Sequence, residues 1–328
     1  MMLVLQTKKH IMSAYRRCID FLLLCLAILP FGNIKAQELF PHTEPASNSP
    51  KGALGIRMSN EFYKDVTVWR SMQCYRFFLA INEKIQVTPN FTFSNHHGFL
   101  LPEGFIKNDG NSGPHTHGSI KGSVYPYSFE NLSFNVKYRF FTNDKQNYHF
   151  RIAAFGEVAA FTSAHDEAEP SLVGDNSGAG FGIVTTLLKN KFAVSITSGA
   201  ILPNKYYQKD TNQIELKYGN AYHYSLSMGY LLLPFKYKSY NQPNVNLYVE
   251  FIGKSYDKAK ITLNDRPISV FNIATLEKGN YIEIRPSIQL ILKSITRIDL
   301  SMGFPFINRS YVRTSPTYYF SIQRYFFY

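Results

Sequence analysis

Segments of alternating apolar and polar residues recur along most of this chain, and they constrain its fold more than any other feature. In residues 132–141, the apolar residues Phe134, Val136 and Tyr138 alternate with polar ones. This period of two is that of a β-strand with one apolar and one polar face. Similar segments occupy residues 52–59, 74–81 and 85–94, begin near residues 148, 177, 192, 221, 244, 280 and 297, and end with residues 318–328. The pattern therefore predicts an all-β fold of about twelve strands.

Strands of this kind suit a membrane-spanning barrel. After the first 36 residues, no apolar run approaches the length of about 18 residues that a spanning helix needs. Lipid accepts protein backbone only as helices or as closed β-barrels, and the aromatic content of 16% suits the aromatic girdles of such barrels. We predict an antiparallel, up-and-down transmembrane β-barrel. A large soluble β-sandwich also has alternating strands and is the alternative.

The start of the chain has the features of a secretory leader. Basic residues precede an apolar run at 21–30, and Ala36 provides a small residue before a cleavage site at Gln37. The sequence thus predicts a cleaved signal peptide over residues 1–36. An irregular periplasmic segment with three prolines is expected over 37–51, and an outer-membrane β-barrel over 52–328. The predicted location is the bacterial outer membrane.

The last predicted strand is the most aromatic one. Its apolar row ends at Tyr328, and a terminal aromatic residue is typical of the strand that the barrel-assembly machinery reads. Arg324 interrupts the apolar row. Its side chain is expected either to snorkel to the lipid headgroups or to mark a β-bulge.

The predicted connections alternate in length. Short turns are expected at residues 82–84, 142–147, 189–191 and 293–294, and long polar segments near 96–128, 162–176, 203–217 and 256–279. Short turns of outer-membrane barrels face the periplasm and long loops face outward. An even number of strands then leaves both ends of the barrel on the periplasmic side.

Charge and cysteine content exclude some classes of function. The formal net charge is +12, and the leader carries five basic residues and one acid, so the remainder has a net charge of +8. These basic residues are dispersed rather than clustered, so nucleic acid is not an expected partner. Cys74 is the one cysteine after the leader, which leaves no internal disulfide.

The polar faces of the strands predict a charged lumen. If the apolar faces meet lipid, His223 and a set of charged residues point inward. The charged candidates are Arg57, Arg76, Lys137, Arg139, Arg151, Glu157, Glu250, Glu283, Arg285, Arg297 and Asp299. A twelve-stranded barrel is narrow, so these groups are paired or hydrated. They line either a pore with a slight preference for anions or a salt-bridged polar plug that stabilises the wall.

Histidines cluster in the predicted loop after the third strand. His96, His97, His115 and His117 lie within 22 residues, and imidazole binds copper, zinc or nickel. A divalent transition metal is therefore a candidate cofactor, and no other cofactor is expected. Solvated loop histidines are the alternative.

Two further motifs suggest chemistry less specifically. Residues 174–178, Gly-Asp-Asn-Ser-Gly, resemble a phosphate-binding loop in composition but lead into a strand, so close strand packing or a bulge is expected. His223 and Ser225 share the inward face, as in a hydrolase, yet the sequence assigns them no third partner.

Several stretches carry a family resemblance. They are FPHTEPASN at residues 40–48, KYRFFTND at 137–144, HFRIAAFG at 149–156 and GDNSG at 174–178. These stretches resemble a poorly characterised family of Bacteroidetes outer-membrane β-barrels, loosely similar to the MetA-pathway type of channel from phenol degradation and sometimes associated with heavy-metal genes. The resemblance implies a barrel in the outer membrane and no catalytic residue.

The sequence thus favours an outer-membrane channel or transporter for small solutes, which is not an enzyme. Its expected partners are outer-membrane lipid, the barrel-assembly machinery and a small solute. A non-transporting surface or metal-binding barrel that uses residues 96–117 is the alternative, and an outer-membrane hydrolase is a second one.

Overall fold

The computed structural model describes residues 40–328 with short gaps. The gaps are residues 99, 102–103, 109, 111–112, 117–121, 161–166, 210–212, 237–238, 240, 271–272 and 311–312. The signal peptide expected over residues 1–36 and His117 therefore lie outside the described residues.

The described residues form nineteen strands and one short 3-10 helix, η1 (Ala274–Leu276). Twelve strands build the barrel: β1 (Ala53–Asp65), β2 (Val68–Ala80), β3 (Ile85–Ser94), β6 (Ser128–Lys145), β7 (Tyr148–Ala160), β8 (Gly178–Lys189), β9 (Phe192–Pro203), β12 (Ala221–Leu233), β13 (Asn244–Tyr256), β17 (Gly279–Leu292), β18 (Thr296–Arg309) and β19 (Thr317–Phe327). Seven short strands lie in the connections: β4 (Ile106–Asn108), β5 (Pro114–Thr116), β10 (Lys205–Lys209), β11 (Gln213–Lys217), β14 (Lys260–Leu263), β15 (Arg266–Pro267) and β16 (Ser269–Val270).

The twelve long strands close into one antiparallel barrel. Each pairs with its sequence neighbour in the barrel, and β1 pairs with β19 from Ala53 opposite Phe327 to Tyr63 opposite Thr317. This closure gives every strand two partners, so no edge is left unpaired. The predicted all-β barrel of about twelve strands is confirmed. Within the described residues, no helix is both long and apolar enough to cross a membrane.

The barrel is apolar outside and polar inside. On β6, Phe134, Val136 and Tyr138 are 42–47% exposed, whereas the intervening Ser133 and Lys137 are 3% and 2% exposed. A soluble β-sandwich buries the apolar face instead. The observed arrangement is the one expected of strands that face lipid, and it excludes the sandwich alternative.

The pairing of the closing strand decides between snorkelling and a β-bulge at Arg324. The pairing of β19 with β1 and with β18 runs without a register shift, so no bulge occurs there. Arg324 shares the outer face with Phe326, and its guanidinium carbon lies 5.8 Å from the centre of that ring. Because the residue is near the periplasmic end of the strand, its charge can reach the headgroups.

The first hairpin is longer than its pattern suggested. β1 continues to Asp65 rather than residue 59, and β2 begins at Val68 rather than residue 74. Polar residues weaken the alternation there, because this part of the hairpin extends toward the outer loops. The turn at 66–67 is thus a short turn on the outer side, and the ten-residue connection 234–243 is a longer one on the periplasmic side. The other predicted connection lengths agree with the structure.

The outer connections fold over the barrel mouth. Strands β10, β11, β14 and β15 form one small sheet, and β4, β5 and β16 form another. Beneath them lies a buried apolar cluster that includes Leu172, Leu216, Tyr218, Leu276 and Tyr281. This cluster holds part of the loop between β7 and β8 at the end of the barrel.

A charge on the outer face tests which surface meets lipid. Ile183 lies near the middle of β8 and is 53% exposed. We expect Ile183→Arg to lower the free energy of unfolding from lipid vesicles by about 2–4 kcal/mol, the cost of an arginine near the bilayer midplane. Urea titration of vesicle-folded protein measures this. Val124→Arg, in an outer connection, is the control and should change it by less than about 0.5 kcal/mol; equal effects of the two substitutions would contradict the assignment.

Candidate functional site in the barrel lumen

Residues 40–49 lie inside the barrel. They have no helix or strand, as the sequence predicts, but their partners are inward-facing side chains on β1, β3, β6, β7, β8, β13, β17 and β18. A segment that contacts strands all around a closed barrel occupies its lumen. The expected position in the periplasm is therefore corrected to the lumen, because the prolines prevent a strand without preventing backbone contacts to the polar wall. We call residues 40–49 the lumenal segment.

Glu250 on β13 anchors His42 and Thr43 of the lumenal segment. Its carboxylate accepts hydrogen bonds from the backbone N–H groups of His42 and Thr43, both at 3.0 Å, and from the Thr43 hydroxyl at 2.8 Å. The Ser227 hydroxyl donates to the same carboxylate at 3.2 Å. Glu250 is fully buried, and these four donors satisfy a group that would be costly to bury alone.

Basic side chains hold the other limb of the lumenal segment. The Lys137 ammonium donates to the carbonyl oxygens of Pro45 and Ser47, both at 2.8 Å. Glu44 Oε2 lies 3.8 Å from the Lys137 ammonium, and Oε1 lies 3.6 Å from the Arg76 guanidinium. Arg151 donates to the Ser47 hydroxyl at 2.8 Å and also pairs with an aspartate at the periplasmic turn. These three predicted lumen candidates thus contact the segment directly, as Glu250 does.

A second group of candidates forms ion pairs across the wall. Arg285 lies 2.7 Å from Glu61 and 2.8 Å from Glu283, and it donates to His42 Nδ1 at 3.1 Å. Arg297 lies 3.2 Å from Asp299. Arg57 Nη2 lies 4.0 Å from Asp299, and Arg57 Nη1 donates to the carbonyl of Pro41 at 3.4 Å. These charges compensate one another inside the lumen.

Three candidates lie apart from these contacts. Arg139 is half-buried beside the bulge that shifts the pairing of β6 with β7, and Glu157 lies opposite Gly180 where β7 pairs with β8. His223 packs edge-on against Phe155, and within the described residues its Nε2 has no hydrogen-bond partner. Ser225 is buried two residues further along the same strand. The structure therefore adds no orienting third group to the His223 and Ser225 pair.

The loop between β7 and β8 enters the lumen from the outer side. Glu169 is buried, and its carboxylate accepts hydrogen bonds from Lys254 at 2.8 Å, Tyr281 at 2.8 Å and Arg313 at 2.7 Å. Burial alone would raise the pKa of Glu169, but the Arg313 and Lys254 charges lower it to about 2. A carboxylate held in this way keeps its charge at neutral pH and fixes the loop at the barrel mouth.

The predicted histidine group is only partly brought together. His96 and His97 lie beside each other with ring centres 3.8 Å apart, and both face Asp175, which belongs to the glycine-rich motif. His115 lies in β5, where it pairs with Ser269 of β16, and it is not part of that group. The glycines themselves serve close packing, because a Cβ atom at Gly178 would collide with the backbone of Leu202 and Pro203.

Sequence reasoning missed several residues that the site depends on. The predicted periplasmic segment puts His42 and Glu44 outside the barrel, and Glu169 and Asp175 lie in connections without periodicity. Alternation identifies inward positions on strands, but it carries no signal for a side chain that returns to the lumen from a loop. The polar content of residues 40–49 was the one available signal.

Comparison with known proteins supports the fold. No protein-family model matches the chain, and its sequence matches no curated protein. An outer membrane channel from Pseudomonas putida F1 is similar in structure, with a TM-score of 0.57 at 11% identity over 88% of this chain and 100% of that chain. The NanC porin has a TM-score of 0.43 at 8% identity over 84% and 99% of the two chains. The β-domain of the Bordetella autotransporter BrkA has a TM-score of 0.40 at 9% identity, over 84% and 99%.

The closed barrel with its apolar outer face is thus a bacterial outer-membrane β-barrel, and the protein is located in that membrane. Its lumen is occupied by its own residues from both ends.

Loss of the Glu250 carboxylate tests the seating of the lumenal segment. In Glu250→Ala, the amides of His42 and Thr43 lose their acceptor, so we expect their hydrogen exchange to accelerate about tenfold or more. Mass spectrometry of the peptide containing residues 40–49 measures this in detergent-solubilised protein. Glu215→Ala, at an ion pair of the outer hairpin, removes a carboxylate without touching the segment and should leave the exchange unchanged. Unchanged exchange in Glu250→Ala would refute this anchoring.

Proposed function

We propose that this protein is an outer-membrane channel for small solutes whose lumen is closed at rest by residues 40–49. The observation that carries the proposal is the way in which the lumenal segment is held. Its main contacts are hydrogen bonds and ion pairs to polar wall residues. Phe40 and Ala46 add two small apolar clusters, with Tyr248 and with Val184 respectively.

Polar attachment makes the segment displaceable. A hydrogen bond inside a protein contributes only about 0.5–1.5 kcal/mol net, because water replaces the lost partner when the bond breaks. The wall behind the segment is polar and can be hydrated, so displacement exposes little apolar surface to water. A barrel closed by an apolar core would lose far more free energy on opening.

The charges of the wall favour anions once the segment leaves. Arg76 and Lys137 would lose Glu44, and Arg57 would lose the Pro41 carbonyl. Among the eleven charged candidates named from the sequence, seven are basic and four are acidic. An opened lumen therefore carries an excess of positive charge, which raises the local concentration of anions.

The alternatives are less well supported. In a non-transporting barrel, the contacts between the lumenal segment and the wall would serve only to stabilise the wall. That function would not require the wall behind the segment to be polar enough for water. A hydrolase needs a nucleophile, a base and an orienting group, whereas His223 packs against Phe155. The fold similarity to an outer membrane channel agrees with the preferred function, and we propose no enzymatic activity.

The partners follow from the same proposal. Outer-membrane lipid would cover the apolar face, a small solute would pass through the lumen, and the barrel-assembly machinery would engage the closing strand β19. Nucleic acid is not a proposed partner. The resemblance to Bacteroidetes barrels and to MetA-pathway channels favours the same class of protein.

Deletion of the lumenal segment is the direct test. We expect a variant that lacks residues 40–49 to show a several-fold higher single-channel conductance in planar bilayers than the intact protein. Its reversal potential in a KCl gradient should indicate anion preference, and Lys137→Met in the deletion background should reduce that preference.

Two controls keep the deletion test interpretable. Heat-modifiable mobility in gels verifies that the shortened barrel is folded, and Lys205→Met, on the outer hairpin, should leave the ion preference of the deletion variant unchanged. If the folded deletion variant conducts no better than the intact protein, the channel proposal fails.

His42 makes the closed state sensitive to pH. The Ser301 hydroxyl donates to the Pro286 carbonyl at 3.1 Å, so His42 Nε2–H donates to Ser301 at 2.9 Å. Nδ1 is then unprotonated, and it accepts from Arg285. The ring is thus neutral and fully bonded, and it also contacts Tyr319.

The groups around His42 oppose its protonation. Burial, followed by the charges of Arg285, Arg57 and Arg76, holds its pKa well below the ordinary 6.5. Two carboxylates are close, but Glu250 is bonded to the His42 backbone and Glu61 to Arg285. His42 binds fewer protons when the segment is seated than when it is displaced. Its neutral ring therefore stabilises the closed state fully above pH 6.5, and this stabilisation is lost as the pH falls below that value.

We therefore expect acidification to open the channel. Between about pH 7.5 and pH 5, the open probability of the intact protein in planar bilayers should rise several-fold, because displacement of the segment lets His42 bind a proton. His42→Gln, which keeps a donor and an acceptor but does not titrate, should remove this dependence. His149→Gln, at a periplasmic turn, should retain it. A pH response that persists in His42→Gln would contradict the mechanism.

A further inference from the structure

Three potential metal ligands meet at the outer end of the lumen. His96 and His97 follow directly after β3, and Asp175 lies just before β8. His96 Nε2 lies 2.7 Å from Asp175 Oδ1, and His97 Nε2 lies 3.1 Å from the same atom. The three side chains are 8–15% exposed, so the group is largely screened from solvent.

From this geometry we propose that His96, His97 and Asp175 bind a divalent transition-metal ion, of which Zn²⁺ fits best, and that the ion fastens the loop between β7 and β8 to the end of β3. The inference is separate from the channel function, because none of the three residues contacts the lumenal segment through a hydrogen bond or ion pair described above.

The distances suit such an ion. Zn–N and Zn–O bonds of about 2.0–2.2 Å in a tetrahedral site place the ligand atoms about 3.3–3.6 Å apart. All three ligand atoms already lie within 4.8 Å of one another. Small side-chain rotations, which widen the two short contacts by a few tenths of an ångström, would admit the ion. Two imidazoles and one carboxylate form a ligand set typical of zinc and leave a fourth position for water.

The hydrogen bonds behind His96 favour the tautomer that binds metal. Ser94 Oγ donates to the buried carboxylate of Glu130 at 2.9 Å, and it also contacts His96 Nδ1. Because the single hydroxyl proton of Ser94 is donated to Glu130, Nδ1–H of His96 donates to Ser94. His96 Nε2 donates to Asp175 Oδ1, because a carboxylate oxygen can only accept. A metal ion would replace the Nε2 proton and leave the Nδ1–H tautomer, so that the Nε2 lone pair and the Asp175 carboxylate both bind the ion.

The backbone of the loop is shaped for this approach. Gly174 has a φ of +102°, which favours glycine. A Cβ atom there would lie 3.2 Å from Thr92 and 3.6 Å from His96. The glycine therefore lets the chain come close enough to β3 for the next residue, Asp175, to face both histidines. Gly174 thus serves the approach of Asp175 to the histidines. This role differs from phosphate binding and from the strand packing at Gly178.

Zinc titration of the full-length mature protein in detergent tests the inference. Isothermal titration calorimetry should show one Zn²⁺ per chain. Co²⁺ in its place should give the visible absorption bands of a tetrahedral site. His96→Gln and Asp175→Asn should each weaken Zn²⁺ binding more than about 100-fold, and Ser94→Ala about 10–100-fold, the usual effect of a residue that orients a ligand.

Control variants separate this site from adventitious binding by histidine. His115→Gln removes a histidine of the same sequence cluster, and His149→Gln removes one paired with Asp144, so both should leave the Zn²⁺ affinity unchanged. Asp175→Asn keeps the size of the side chain, and unaltered heat-modifiable mobility verifies its fold. If intact protein binds no Zn²⁺, or if Asp175→Asn and His96→Gln bind it as tightly as His115→Gln does, the proposal is overturned.

Loop fastening has its own measurement. With Zn²⁺ present, hydrogen exchange of residues 171–176 should slow several-fold in intact protein and in His115→Gln, but not in Asp175→Asn. Binding without any change in this exchange would overturn the fastening role while leaving the metal site in place. Neither result depends on whether the lumen conducts.

Discussion

The backbone cannot find water in the hydrocarbon of a bilayer, and the rest of this structure depends on that constraint. Every N–H and C=O group of a spanning strand needs a partner in a neighbouring strand, so the sheet closes and β1 meets β19. A closed sheet with lipid outside reverses the usual distribution of side chains. Apolar residues face outward, and the polar ones are confined to a narrow interior.

That interior creates a second requirement, which the lumenal segment and the loop between β7 and β8 satisfy. Charges such as Glu250, Lys137 and Glu169 are expensive to bury without partners. Backbone amides of His42 and Thr43, carbonyls of Pro45 and Ser47, and the Lys254 and Arg313 cations provide those partners. These two elements are therefore held by the same charges that would attract solute in an open lumen. In the proposed channel, closure and permeation depend on one set of groups.

The sequence predicts the barrel wall well because period-two alternation reflects a local property, the direction of successive side chains along a strand. The alternation therefore predicts Phe134 and Val136 on the outer face and Lys137 on the inner face, and their exposure in the structure agrees. Contacts made by irregular backbone leave no such trace. The seating of His42 on Arg285, and the meeting of His96 with Asp175 across 79 residues, depend on how loops return to the barrel. Histidine content alone grouped His115 with His96 and His97, although only the latter two share a partner.

The lumenal segment and the loop between β7 and β8 are connected by a continuous chain of hydrogen bonds and ion pairs. His42 of the lumenal segment contacts Arg285, Arg285 pairs with Glu283, and Glu283 lies 3.8 Å from Arg313. Arg313 in turn pairs with Glu169 of the loop between β7 and β8. Removal of His42 would leave one N–H group of Arg285 without its acceptor. Arg285 would then interact more strongly with the Glu283 carboxylate, which also pairs with Arg313. Residues in one such network do not act additively. The lumenal segment and the outer loop are accordingly parts of one electrostatic unit, although they enter the barrel from opposite ends.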